Sequence, residues 1–386
     1  MVLHDPALTY SAIAAATLWL GLLLLPWRPW STRERLEARG ESPDADLSSV
    51  VVLIPARNEA ATIGITLASL GRQGRGLKAI LIDDQSTDGT VDVARQAARE
   101  DLTLEIIDGA ALEAGWAGKM FALEQGRLHA DRPLILLLDA DIMLEPGVIA
   151  ALLEKKRQTG AALVSLMAEL SMQGLAERLL MPAFVYFFKL VYPFALSNGK
   201  TRLVAAAAGG CVLIERAALD DIGGFGALKG AIIDDCALAH TVKQHGRRTW
   251  IGLSHGAKSI RGYQTFGAIW RMVARSAYTQ LHYSPLLLAL ASLLLAVAFW
   301  MPVIALIAFP AVDAKLIGGL ALIAMMASYL PILRYYHRSP LWALALPLIG
   351  TLYLAMTWSS AIDFWRGRRT IWKGRLYDRA MRSRDL

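Results

Sequence analysis

The sequence predicts an α/β domain, a mixed and mainly parallel sheet flanked by helices, joined to α-helical transmembrane segments. Three observations carry this. Apolar strand-like runs alternate with helical stretches from Leu47 to about Ile260, a rhythm that builds right-handed crossovers and a mainly parallel sheet. Leu134–Leu138 is a run of five apolar residues, as expected of a strand buried on both faces. The 386 residues are 55% hydrophobic with a mean hydropathy of +0.40, more apolar than a soluble globule requires.

Taken in order, Ala7 to Trp27 is an apolar run followed by Arg28, Arg33, Arg35 and Arg39. It reads as an N-terminal membrane anchor within residues 1–30, with its basic end in the cytoplasm, in preference to a cleaved signal peptide. Ser42–Asp46 is an expected linker. A strand over Ser48–Pro55 ends in Pro55-Ala-Arg57-Asn58-Glu59, and Ala60–Gln73 is helical. A second strand, Leu77–Asp83, runs into Asp84, and Asp88 is the expected N-cap of a helix Thr90–Arg99. A strand Leu102–Asp108, a helix Gly118–Ala130 and the strand Leu134–Leu138 follow. Next come a helix Gly147–Gln158 and a strand Ala161–Ala168. Residues 175–196 are apolar and aromatic with Glu177, Arg178 and Lys189 among them, which predicts a helix lying in the membrane interface, the alternative being a buried core helix. Val204–Ile214 is a small-residue strand containing Gly209-Gly210, Arg216–Ile222 is a helix, and Asp234-Asp235 open a helix running to His245. The alternating α/β domain is thus expected from Leu47 to about Ile260.

Beyond Ser284, Pro285–Phe309, Val312–Leu333 and Leu341–Phe364 each have spanning length, so residues 284–364 are expected membrane helices and 365–386 a basic tail. Three spans after a cytoplasmic domain would put that tail outside, against the positive-inside tendency. The alternative is that one segment is a re-entrant or surface hairpin, with Pro302 or Pro347 and Gly350 as the break. The net charge is +7, and from Arg366 onward eight basic residues face two acidic ones. Beside an apolar segment this points to anionic lipid or a topogenic signal, and no nucleic-acid-binding motif accompanies it. Cys211 and Cys236 form no C-x-x-C pair and are expected to be reduced and structural.

The chemistry-bearing residues recur where strands end or helices begin: Asn58-Glu59, Asp83-Asp84, Asp139 with Asp141, and Asp234-Asp235. Ligands bind open α/β sheets at the carboxyl ends of the strands, so these clusters together would line one acidic cleft. Side chains alternate along an extended chain, which turns Asp139 and Asp141 the same way. Two such carboxylates repel unless a cation lies between them, and hard oxygen ligands suit Mg²⁺ or Mn²⁺, completed by substrate phosphates. Lys119, at the start of its helix, could meet those phosphates with the help of the helix N-terminus.

The combination V-x-I-P-A-R-N-E, I-D-D-x-S-x-D-G-T and L-L-D-A-D-x-x-x-x-P resembles the nucleotide-sugar-dependent glycosyltransferases of family two, with the Rossmann-like GT-A fold, over about residues 47–280. The stretches Ala207-Ala-Gly-Gly-Cys211, Ile233-Asp-Asp-Cys-Ala-Leu238 and Ile269-Trp-Arg-Met-Val-Ala-Arg275 look more narrowly like the hopanoid-biosynthesis-associated membrane glycosyltransferases, relatives of ceramide glucosyltransferase. The resemblance implies that Pro55, Arg57, Asn58, Glu59 and Asp84 hold the nucleotide, and that Asp139 and Asp141 bind the metal–diphosphate. Asp235 matches the catalytic base of the family's E-D motif, with Asp234 in place of the Glu. The family's Q-x-x-R-W motif is reduced to Met272-Val-Ala-Arg275-Ser276, where only Arg275 survives as a donor contact. The expected activity is transfer of one sugar from a UDP-linked donor to a lipid acceptor, possible in hopanoid biosynthesis, on the cytoplasmic face of the inner membrane. The direct displacement would invert the anomeric centre. The rivals are a processive polysaccharide synthase, which the degraded motif disfavours, and a catalytically inactive membrane scaffold.

Overall fold

The computed structural model describes residues 6–38, 40, 44–98, 102–229, 231, 233–368, 371–372 and 375–376. Arg39, Ser42 and Pro43 of the expected linker region and most of the expected basic tail lie outside these. The chain forms two compact units. One contains Glu34–Ser171 and Leu196–Gly262; the other contains the N-terminal stretch through Arg33 together with Met172–Ala195 and Tyr263–Arg368.

The first unit is built on an eight-stranded sheet. Its strands are β1 Val50–Ala56, β2 Lys78–Asp83, β3 Thr103–Asp108, β4 Leu134–Leu138, β5 Ile142–Leu144, β6 Leu163–Glu169, β7 Cys211–Glu215 and β8 Thr249–Ser259. Their spatial order is β3-β2-β1-β4-β7-β6-β8-β5. β1 pairs in parallel with both β2 and β4, β2 with β3, and β6 with β8, whereas β7 runs antiparallel between β4 and β6 and β5 antiparallel to β8. The predicted mixed, mainly parallel sheet is therefore present. The strands of the centre are apolar because both faces are covered. Val50, Val52, Ile54 and Leu136 join one buried cluster, and Val51, Leu53, Ile135 and Leu137 join the other.

Topology brings the active edge together. The carboxyl ends of β1, β2 and β4 lie side by side, and the antiparallel β7 contributes its beginning there, since Leu138 pairs with Cys211. β8 arrives at the same edge with its end, Ser259 opposite Ile142.

Three expectations need correction. Val204–Ile214 is a strand only from Cys211; the preceding alanines, Ala205–Ala208, are buried outside any strand. There Ser165 Oγ takes the N–H of Ala208 at 2.8 Å and donates to its carbonyl at 3.1 Å, satisfying in one side chain what a ladder would have satisfied. The residue flanking the helix Thr90–Ala97 is Gly89, in a left-handed conformation (φ +83°), and not Asp88. Asp88 acts from one position further out, accepting the N–H of Thr90 at 3.1 Å and that of Ala60 at 3.0 Å. Finally, β5, β8 and the helix Phe266–Ala274 were not legible as elements.

In the second unit, three helices among the described residues are long and apolar enough to cross a membrane: Pro285–Ala308, Val312–Tyr335 and Pro340–Trp365. The N-terminal helix Pro6–Leu24 is shorter in its apolar part, Thr9–Leu24. It packs through small residues, Ala12 beside Ala305 and Ala314, and Ala15 and Ala16 beside Ala321, the close approach that favours helix association in lipid. The aromatic stretch forms the helix Leu175–Val191. One face is buried within this unit, with Tyr186 Oη 2.7 Å from Ser328 Oγ and Tyr353 Oη donating to Leu180 O at 2.8 Å; Leu175 and Val191 stay exposed.

Candidate active site

The turns that leave β1 and β2 are zipped into one floor. Asn58 takes a left-handed conformation (φ +53°), as does Gln85 (φ +59°), and each bends its turn away from the sheet. Asn58 N donates to Ser86 Oγ at 2.9 Å, Thr87 N donates to Asn58 Oδ1 at 2.9 Å, and Glu59 N donates to Thr90 Oγ1 at 2.8 Å. Arg57 donates to the Asp84 carbonyl, with its Nη1 4.0 Å from Asp84 Oδ2. Asp83 and Asp84 are both buried. Asp83 Oδ2 accepts the N–H of Ser86 at 3.1 Å, and its Oδ1 is buried without a hydrogen-bond partner among the described residues.

On the other side of β1, Asp139 and Asp141 follow β4. Their carboxylates carry side-chain cations. Lys119 Nζ is 2.6 Å from Asp139 Oδ1, and Arg261 Nε is 2.8 Å from Asp141 Oδ2. The same guanidinium reaches Glu59, Nη2 lying 2.7 Å from each carboxylate oxygen. Burial and the neighbouring charge of Asp139 raise Asp141 above the usual carboxylate range, against the pull of Arg261. Burial alone would lower Lys119, but the charges of Asp139, Asp234 and Asp235 outweigh it and hold the ammonium on.

Lys119 joins this pair to the third carboxylate. Asp235 stands in the first turn of the helix Asp234–Gln244, where the N–H groups and the dipole favour an anion. Its Oδ1 accepts Cys236 N at 2.7 Å and its Oδ2 accepts Gly209 N at 2.8 Å. Gly209 has to be small: a Cβ there would lie 3.3 Å from Lys119 Nζ and 3.4 Å from Asp235 Oδ2. Burial, and then the like charge of Asp234, push Asp235 up to about 6. A carboxylate tuned in this way can exchange a proton near neutral pH. Burial and Asp139 push the Cys211 thiol up to about 12, so it stays protonated and inert.

The structure thus links Arg57, Asn58, Glu59, Asp84, Lys119, Asp139, Asp141, Asp234 and Asp235 along one sheet edge, with Pro55 in the last turns of β1. Arg275 belongs to the other unit, where it caps the helix Phe266–Ala274. Arg261 escaped the sequence reading. The signal that could have exposed it is a basic residue two positions after a strand, and the strand, β8, was itself unread. Among the described residues no group of three or more His, Cys, Asp or Glu side chains is placed to hold a metal ion. Asp139 and Asp141 still suit Mg²⁺ or Mn²⁺, being two hard oxygen donors whose mutual repulsion a cation would relieve, with donor phosphates completing the shell.

An α/β sheet of this order, with an acidic edge and Asp235 in the first turn of the neighbouring helix, is a GT-A-like fold. Residues 51–223 match the model of glycosyl transferase family 2. Among solved structures, the mannosyltransferase PcManGT from Pyrobaculum calidifontis, in complex with GDP-Man and Mn²⁺, is similar in fold, with a TM-score of 0.54 at 20% identity over 92% of this chain and 99% of that one. Two similar proteins are 4,4'-diaponeurosporenoate glycosyltransferases. That of Staphylococcus aureus (strain bovine RF122 / ET3-1) is 32% identical over 132 residues, covering 34% of this chain and 32% of the relative. That of Staphylococcus haemolyticus (strain JCSC1435) is 29% identical over 120 residues, 31% of each. The match spans about a third of the length of these relatives.

Proposed function

We propose that this protein is a membrane-bound, inverting glycosyltransferase, facing the cytoplasm, that moves one sugar from a nucleotide diphosphate sugar to a lipid-like acceptor. The observation that carries this reading is that Lys119, paired with Asp139, meets Asp235 at Gly209, which puts an ammonium beside a carboxylate of raised proton affinity.

Sugar transfer by direct displacement needs a stabilised leaving diphosphate and a base for the acceptor hydroxyl. Asp235 takes the hydroxyl proton as the new glycosidic bond forms, and the backbone N–H groups of Gly209 and Cys236 hold its carboxylate in position. Lys119 and the N-terminus of the helix Gly118–His129 bind the diphosphate as its negative charge grows. Asp139 and Asp141 would hold a Mg²⁺ or Mn²⁺ ion, which supplies Lewis-acid neutralisation of the leaving group. The zipped turns at Arg57, Asn58, Glu59 and Asp84 hold the nucleoside, where the partnerless Asp83 Oδ1 offers a buried acceptor to a hydroxyl or amide N–H.

The relatives named for 4,4'-diaponeurosporenoate and the three apolar helices support a lipid-like acceptor. A hopanoid acceptor rests on the sequence resemblance. A UDP-linked donor rests on it too, beside a structural neighbour that holds GDP-Man. A panel of UDP- and GDP-sugars offered to membranes containing the protein, with and without EDTA, tests the reading. One donor should release its nucleoside diphosphate with sugar appearing in the lipid fraction, and both should vanish with EDTA and in Asp141→Ala. Release that persists in Asp141→Ala, or no turnover of any donor, would overturn it.

A further inference from the structure

Arg261 makes two separate ion pairs with carboxylates far apart in the chain. Nε faces Asp141 at 2.8 Å, and Nη2 faces both oxygens of Glu59 at 2.7 Å. Its backbone neighbour is fixed as well, since Ile260 N donates to the Asp141 carbonyl at 2.8 Å. Both carboxylates are largely shielded from water, Glu59 being 9% exposed, so these pairs are weakly screened. We propose that Arg261 is a latch that competes with a divalent ion for Asp141, and so ties loading of the metal to arrival of the donor.

The physical argument is one of charge and geometry. A planar guanidinium fork matches two carboxylates at once in a way that a lysine ammonium cannot. A divalent ion that takes Asp141 meets a full positive charge already seated on that carboxylate, and has to displace it or suffer its repulsion. The guanidinium leaves readily only if a second anion receives it, and the diphosphate of a sugar donor is such an anion in the right class. Lys119 differs. It sits among Asp139, Asp234 and Asp235, so it keeps anionic partners when one of them is recruited elsewhere. Arg261 is therefore a positioning residue for Asp141, which would hold the ion, and for the turn that carries Glu59.

The proposal rests on the reading that Asp139 and Asp141 hold a divalent ion, and binding of Mn²⁺ alone separates the two. Free Mn²⁺ is titrated by electron paramagnetic resonance against the purified full-length protein in detergent, at pH 8 and without nucleotide. Arg261→Gln should bind Mn²⁺ about tenfold more tightly than the unaltered protein, in the usual range for coupled sites. Arg261→Lys, which keeps the charge and loses the fork, should fall between them and carries the test if Arg261→Gln does not fold. Asp141→Ala should bind none. Equal or weaker Mn²⁺ binding by both Arg261 variants overturns the latch and leaves the metal reading standing. Absence of Mn²⁺ binding in every variant overturns both.

Discussion

Two acidic pairs flank β1, and they are satisfied by different chemistry. Asp83-Asp84, after β2, is met mainly by main-chain groups and a single distant guanidinium: Ser86 N reaches Asp83, and Arg57 stands 4.0 Å from Asp84 Oδ2. Asp139 and Asp141, after β4, are each met by a full cation in close contact, at 2.6 and 2.8 Å. A group that must recognise a neutral nucleoside needs directed hydrogen-bonding capacity, whereas one that handles a departing diphosphate needs movable charge. The two differently satisfied pairs stand on one sheet edge because β1 lies between β2 and β4.

The largest effects should come from breaking the charged side. Asp235→Asn keeps the volume and removes the base, so kcat should fall by about a thousandfold, within the range for general-base catalysis. The donor KM should stay within about twofold, because the proposed base would act on the acceptor hydroxyl and not on the nucleotide. Initial rates across donor concentrations separate the two parameters. An unchanged kcat would remove Asp235 from the chemistry.

Lys119→Met should come next, with a loss of about a hundredfold in kcat/KM from an unpaired diphosphate charge. It should also move the pH profile. Burial and Asp234 hold Asp235 near 6, while Lys119 pulls it down. The base works only when deprotonated, so the rate should decline as pH drops below about 6. With Lys119 removed the pull disappears, the folded-state pKa rises, and the decline should set in at higher pH. A limb that stayed in place or moved to lower pH would contradict the geometry around Gly209.

Breaking the other side should be milder. Asp84→Asn retains the shape of a buried side chain and weakens its acceptor capacity. Donor KM should rise by about tenfold, the worth of one hydrogen bond to a charged group, with kcat retained. Equal losses in kcat and kcat/KM would instead place Asp84 among the groups that act in the transition state.

Much of this edge was legible in the sequence, for a physical reason. Asp139 and Asp141 follow a strand whose five apolar residues announce burial on both faces. They stand on the turn after it, however, closed by Ile142 N donating to Asp139 O at 3.0 Å, so strand alternation does not set their directions. Asp235 opens a helix, a place where acidic residues have a local reason to be. What could not be read depends on packing between distant segments. β8 mixes Trp250, Ile251 and Leu253 with Ser254, His255 and Lys258, so it shows no clear period, and nothing local marks Arg261 beyond it. Ala205–Ala208 have the composition of a strand, yet lie as buried coil with Ala208 tied to Ser165 Oγ of β6 and Ala206 N donating to Ser197 Oγ. A local pattern carries no trace of those serines.

The smallest effect predicted tests whether the nucleoside side is rigid before any ligand arrives. Asn58 unites two features: a left-handed backbone that bulky side chains rarely adopt, and an Oδ1 that accepts the N–H of Thr87 from the neighbouring turn. Asn58→Ala loses both, and Asn58→Gly loses the bond alone while easing the backbone. Alanine should therefore lower stability by about 1 to 2 kcal/mol, and glycine by less. Thermal unfolding of the two variants in detergent gives the order, and the donor KM of Asn58→Gly gives the consequence. If the turns that leave β1 and β2 are prearranged by their mutual hydrogen bonds, glycine should raise KM by freeing the turn that Asn58 Oδ1 ties to Thr87 N. A KM that tracks the loss of stability in neither variant would mean that the floor is shaped by the donor itself, and the contrast between a directed, neutral side and a charged, movable one would then be lost.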